Sequence, residues 1–145
     1  LGGFDIVVTS EIPRAIETAV AMGYASDQQL KDLGSLFGTD NEVDWRIGCA
    51  AIAKVTESNK KLAKAAARHA ALVRSVADSI PDEGRALIVS HGGVIELGVI
   101  GLLPLYNYSE WGPSCNYCEG VKILFEGDAC TGAQILRLSE LTQPL

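Results

Sequence analysis

The chain has 145 residues, 48% of them hydrophobic and 21% charged, with a net charge of −6. That is the length and composition of one globular domain, residues 1–145, able to bury a core. The acidic balance, with no basic stripe carrying interleaved aromatics, argues against a nucleic-acid partner. No apolar run reaches the ~18 residues of a membrane span, and no charged leader precedes an apolar segment, so no membrane partner is expected and the expected location is cytoplasmic.

Residues 4–9 are an apolar, β-branched run that reads as a strand. Ser10 follows as a helix N-cap candidate, Glu11 suits a first turn, and Pro13 is tolerated there because its missing N–H would have had no partner. Ile16, Ala19 and Val20 supply an apolar helical face that ends at Met22-Gly23. Arg14 therefore lies in the first helical turn, just past the strand's carboxyl end. Residues 25–45 are irregular, with Asp27, Asp32, Asp40, Glu42 and Asp44 set among glycines, and read as a loop-rich excursion of the kind that covers a site.

Residues 52–80 hold the longest helical pattern. Val55, Leu62, Ala66, Val73, Val76 and Ile80 share one stripe, while Lys60, Lys61, Lys64 and Arg68 turn away from it. His69 falls on the apolar stripe and reads as a histidine packed against the core. Pro81-Asp82-Glu83-Gly84 stops the helix, and residues 86–89 are a short apolar run of the type buried on both faces of a parallel sheet. Ser90-His91-Gly92-Gly93 breaks that strand, and 94–103 continue at helical length. A strand that turns through glycines into a helix leaves the first helical N–H groups unpaired, and these, with the positive end of the helix dipole, favour an anion. His91 thus stands at the carboxyl end of a parallel strand, where open α/β sheets bind ligands. Arg14 and His91 would aim at the same sheet edge from two separate turns.

Residues 104–120 read as a long loop, and 121–125 with 133–138 as a hairpin around a turn at 126–128. Cys49, Cys115, Cys118 and Cys130 are expected to be reduced. Cys115-Asn116-Tyr117-Cys118 has zinc or redox spacing, but no second ligand pair accompanies it and a β-forming run follows where a redox pair would open a helix. No metal and no cofactor is expected. A strand before His-Gly-Gly also occurs in lipase-like hydrolases, but their Gly-x-Ser-x-Gly is lacking, and Gly112-Pro113-Ser114-Cys115-Asn116 misses the final glycine.

Two motifs together carry more information. Val8-Thr9-Ser10-Glu11-Ile12-Pro13-Arg14-Ala15-Ile16-Glu17-Thr18-Ala19 resembles the Thr-Ser…Arg-Ala segment of the histidine phosphatases, the phosphoglycerate-mutase-like superfamily. Ala86-Leu87-Ile88-Val89-Ser90-His91-Gly92-Gly93 resembles their second-histidine strand and turn, and Leu30-Lys31-Asp32-Leu33-Gly34 with Gly38 a loose form of their acid-bearing loop. The region from Cys115 to Phe125 resembles the family's final loop and strand.

The resemblance implies a three-layer α/β/α sandwich with a mostly parallel sheet, and phosphoryl transfer through a phosphohistidine. It makes Arg14 a phosphate clamp, His91 a histidine bonding the phosphoryl oxygens, and Gly92 a further phosphate-binding position. Asp32 is its best match for the acid that protonates the leaving oxygen, with Glu96 in reserve. The implied partner is a small phosphorylated substrate or a phosphoprotein, and the loop at 25–45, without a long helical insertion, favours a phosphatase over a mutase.

The nucleophilic histidine of that family sits in an Arg-His-Gly turn on an earlier strand. These 145 residues contain no Arg-His-Gly, and their other histidine is His69. Removing a nucleophile costs on the order of 10⁶ in turnover in a well-studied hydrolase, so the binding groups alone are not expected to rescue the chemistry. The chain also lacks an initiator methionine, Met22 being its only one. The expectation is a phosphatase domain whose first strand is missing from this sequence; the alternative is a pseudophosphatase that binds phosphate esters without cleaving them.

Overall fold

The structure, a computed structural model, describes residues 3–138. Strand β1 (Ile6–Thr9) leads into helix α1 (Pro13–Ala21), then the two-residue strand β2 (Gln28–Gln29) and a 3₁₀ turn over Lys31–Gly34. Helices α2 (Cys49–Ser58) and α3 (Lys60–Asp78) precede β3 (Ala86–Val89) and α4 (Val94–Leu102), and a hairpin of β4 (Gly120–Glu126) and β5 (Ala129–Leu136) follows. The first three strands form a parallel sheet in the order β2-β1-β3, and β4 pairs antiparallel with β5.

The sheet lies between helices because its central strand is apolar on both faces. Ile6 and Val8, with Ala86 and Ile88 of β3, pack on Leu72 and Val76 of α3. The alternation of a strand turns Val7 and Thr9 to the opposite face, and α1 lies against β1 and β3 with Ala15 and Ala19 buried. This is an α/β layered fold built on a parallel sheet, as the sequence pattern predicts. Val8 is fully buried, which contributes about 1.5–3 kcal/mol for a side chain of that size.

Helix α3 buries Leu62, Ala65, Ala66, His69, Ala70 and Val76 along one stripe. It packs on α4 so closely that a Cβ on Gly101 would stand 2.2 Å from the Ala66 carbonyl oxygen. A second core gathers Cys49, Ile52, Val99, Ile100, Tyr108 and Trp111, with Val121, Ala133 and Ile135 of the hairpin against it. Among the described residues no helix is long and apolar enough to cross a membrane.

Four expectations change. The helical pattern at 52–80 is two helices, broken at Asn59, whose side chain accepts the Leu62 N–H at 3.1 Å and caps α3. The excursion at 25–45 contains β2, which extends the sheet through the Leu30 N–H to Thr9 carbonyl bond at 2.8 Å. The residues of β3 are all half-buried, because β3 is an edge strand among the described residues and β1 holds the centre. Finally, β5 starts at Ala129 and ends at Leu136, since the two-residue turn Gly127-Asp128 lets Glu126 pair directly with Ala129 and leaves Thr131 as a bulge opposite Leu124 and Phe125.

Candidate active site

In the parallel register of β1 and β3, Thr9 stands beside Val89, so the two strands end together. The Ser10 N–H donates to the Val89 carbonyl at 3.1 Å and carries the pairing one step further. From there one chain turns into α1 with Arg14 in its first turn, and the other turns through His91 into α4. Register brings the two turns together over 81 residues of sequence.

Their direct link is a hydrogen bond of 2.7 Å between Ser10 Oγ and His91 Nε2. Ser10 is fully buried and also accepts the Ile12 N–H at 3.3 Å. It is therefore not the N-cap of α1, a position Ile12 occupies without any side-chain bond. Serine before a helical run has the look of a cap, but here the hydroxyl is used across the end of the sheet. Burial, and then the Arg14 guanidinium, lower the His91 pKa below its ordinary value, so the ring is neutral near pH 7. Arg14 is exposed and makes no ion pair among the described residues. An unpaired guanidinium whose field reaches a neutral imidazole is a place where an anion gains from both.

The turn before α4 is braced from within. Gly93 takes a φ of +88°, and a Cβ there would stand 3.1 Å from Leu36, so this position needs glycine. Gly92 is exposed, and its N–H makes no hydrogen bond among the described residues. Glu96 is wholly buried: Oε1 accepts the Gly93 N–H and Oε2 the Cys115 N–H, each at 2.7 Å. The helix N-terminus expected to be open thus already holds a carboxylate of the chain itself at Gly93, and Glu96 ties the His91 turn to the 111–119 loop. That loop is gathered by Arg137, which donates to the carbonyls of Trp111, Pro113 and Ser114 and pairs with Glu119 at 2.9 Å.

The segment bearing Asp32 touches both turns. The Ser90 hydroxyl donates to the Leu33 carbonyl at 2.5 Å, and the Gly34 backbone lies against the Ile12 and Ser10 side chains. Asp32 itself is half-exposed, with Arg68 at 3.8 Å, a separation worth little in solvent. It faces a cleft of about 510 Å³ shared with Glu11, Pro13, Lys31, Phe37 and Arg68, and neither Arg14 nor His91 lines that cleft.

His69 is 1% exposed and its Nε2–H donates to the Ser35 carbonyl at 2.7 Å, which agrees with a packed histidine that holds the Asp32 segment to α3. Burial lowers its pKa, and its Nδ1 has no partner among the described residues. Burial, and Glu96 beside them, push the thiols of Cys49 and Cys115 up to about 12, so both stay protonated at neutral pH. The parts that sequence reasoning misses are the Ser10 bond and the Glu96 brace; the available signal is polar residues set against apolar runs, which does not name their partners.

Comparison with curated proteins and with solved structures found no match. A family model described as the histidine phosphatase superfamily (branch 1) matches residues 2–135. That span takes in both strand-to-helix turns and the hairpin, far more than half the chain, and the chain therefore belongs to the histidine phosphatase superfamily.

Proposed function

We propose that this chain is the greater part of a phosphomonoester hydrolase that works through a phosphohistidine, with the nucleophile supplied by an Arg-His-Gly turn outside these residues. The observation that carries the reading is that the Arg14 guanidinium, without an ion pair among the described residues, acts electrostatically on the His91 ring from the neighbouring turn at the same sheet end. The guanidinium fork matches two phosphoryl oxygens, and the His91 ring and the Gly92 N–H supply further donors. The nucleophile's nitrogen would bond to phosphorus as the ester oxygen leaves, Asp32 would protonate that oxygen, and water would then cleave the phosphohistidine.

Neither histidine present suits the nucleophile's role: His69 is sealed in the core, and Nε2 of His91 is engaged by Ser10. The outer edge of β3 has no strand partner among the described residues, which gives a further parallel strand a place beside the His91 turn. The substrate in this reading is a small phosphorylated molecule or a phosphoprotein in the cytoplasm, with no cofactor. A second reading, a pseudophosphatase that binds phosphate esters, is favoured by the same lack of a free histidine.

Hydrolysis of a generic aryl phosphate separates them, measured in parallel for the 145-residue chain and for the gene product extended upstream. The short chain is expected to be inert, and the extended one to turn over and lose activity on His91→Ala. Turnover by the short chain would contradict the missing nucleophile. An extended product without Arg-His-Gly that binds phosphate and stays inert would establish the second reading.

A further inference from the structure

The surroundings of Ser10 decide where its proton goes. Among the described residues the hydroxyl has two hydrogen-bonding neighbours, the Ile12 N–H at 3.3 Å and Nε2 of His91 at 2.7 Å. A backbone N–H only donates, so it occupies a lone pair of Oγ. Among the described residues the one acceptor left for the hydroxyl proton is Nε2, and in a fully buried residue an O–H without an acceptor would carry its whole desolvation penalty.

We propose that Ser10 is a positioning residue for His91: its hydroxyl donates to Nε2 and so fixes the proton of the neutral imidazole on Nδ1. Which ring nitrogen of a histidine carries the proton is set by the bond the other one makes. Nδ1 of His91 has no partner among the described residues and is not sealed from solvent. The ring therefore offers an N–H donor on its open side while uncharged. Arg14 is the charged group whose field reaches it, and that field opposes a second positive charge. A neutral donor of fixed tautomer serves a phosphoryl group whose oxygens gain charge in the transition state, and it needs no protonation to do so. Ser10 is not itself a nucleophile, because no atom of it is exposed to a substrate. The use made of the Nδ1–H rests on the phosphate reading of the site; the tautomer does not.

The chain contains two histidines, so long-range ¹H–¹⁵N correlation of the 145-residue protein gives two imidazole patterns. His69 is an internal reference of the opposite kind, since its Nε2 must carry a proton to donate to the Ser35 carbonyl. His91 is expected in the Nδ1–H form. Ser10→Ala is expected to release it to a mixture and raise its pKa by about half a unit to one unit, whereas Ser10→Thr keeps the hydroxyl and the wild-type pattern. If Ser10→Ala does not fold, the wild-type and Ser10→Thr spectra decide. A wild-type His91 in the Nε2–H form overturns the inference, as does an unchanged pattern in a folded Ser10→Ala protein. Repeating the spectrum with inorganic phosphate tests the other layer: an Nδ1–H ring that phosphate does not move leaves the role of Ser10 standing and removes the phosphate reading.

Discussion

Arg14 stands in an exposed first turn with no ion pair among the described residues, and its charge is felt by His91. Charge-assisted bonds to an anion are the stronger kind, so Arg14→Ala is expected to weaken inorganic phosphate binding by about 10- to 100-fold, read by calorimetry. An unchanged affinity would place the anion elsewhere. Both histidines have folded-state pKa values below the unfolded one of about 6.5, each chiefly through burial. Below that pH the unfolded chain binds more protons than the folded one, so stability is full above about pH 6.5 and falls as pH drops from there towards the folded values. Urea midpoints measured across that window check the sign; a midpoint that rises on acidification would contradict it. Glu96 looks in sequence like an acid available for catalysis, yet both its oxygens are committed. Glu96→Gln replaces one acceptor with a donor facing a backbone N–H and is expected to cost about 1–3 kcal/mol in urea unfolding. Arg14 and His91 are legible in the sequence because each follows an apolar strand run and opens a helix. Ser10 and Glu96 are not, because their roles depend on partners that only the tertiary register supplies.

At the scale of elements, periodicity places the strands and helices but not their breaks. The apolar stripe runs on from Ile52 and Val55 to Leu62 without a glycine or proline, and nothing in it announces the stop at Asn59. Asn59 is extended at φ −121° and caps the next helix, so Asn59→Ala is expected to lower stability by about 1 kcal/mol, visible as a lower urea midpoint at unchanged slope. The β2 strand is two glutamines, both exposed, and carries no β-forming signal; its pairing follows from the Val7 N–H bond to Asp27 and the Leu30 N–H bond to Thr9. The α3–α4 seam is different, because its requirement is steric. Gly101→Ala would drive a Cβ into the Ala66 carbonyl and is expected to cost about 1–3 kcal/mol or more, while Gly120→Ala, with nothing within 4 Å, serves as its control.

For the molecule as a whole, the parallel sheet does the assembling. Because β1 and β3 run the same way and in step, two motifs far apart in sequence open at one end of it, and the Asp32 segment is fastened to both through Ser90 and Ile12, and to α3 through His69. The hairpin packs on the second core, and the loop that borders the His91 turn is held by Arg137, just past β5, and by Glu96 of α4. In the function proposed above this sheet end is a phosphate site, and the two imidazoles report on it from opposite situations, one open and one sealed. We would follow both by NMR while titrating inorganic phosphate into the wild-type chain. If this sheet end binds phosphate, His91 is expected to move saturably and its pKa to rise, since a bound anion favours the imidazolium, while His69 stays still. A His91 that phosphate leaves unmoved, with an unchanged pKa, would contradict it.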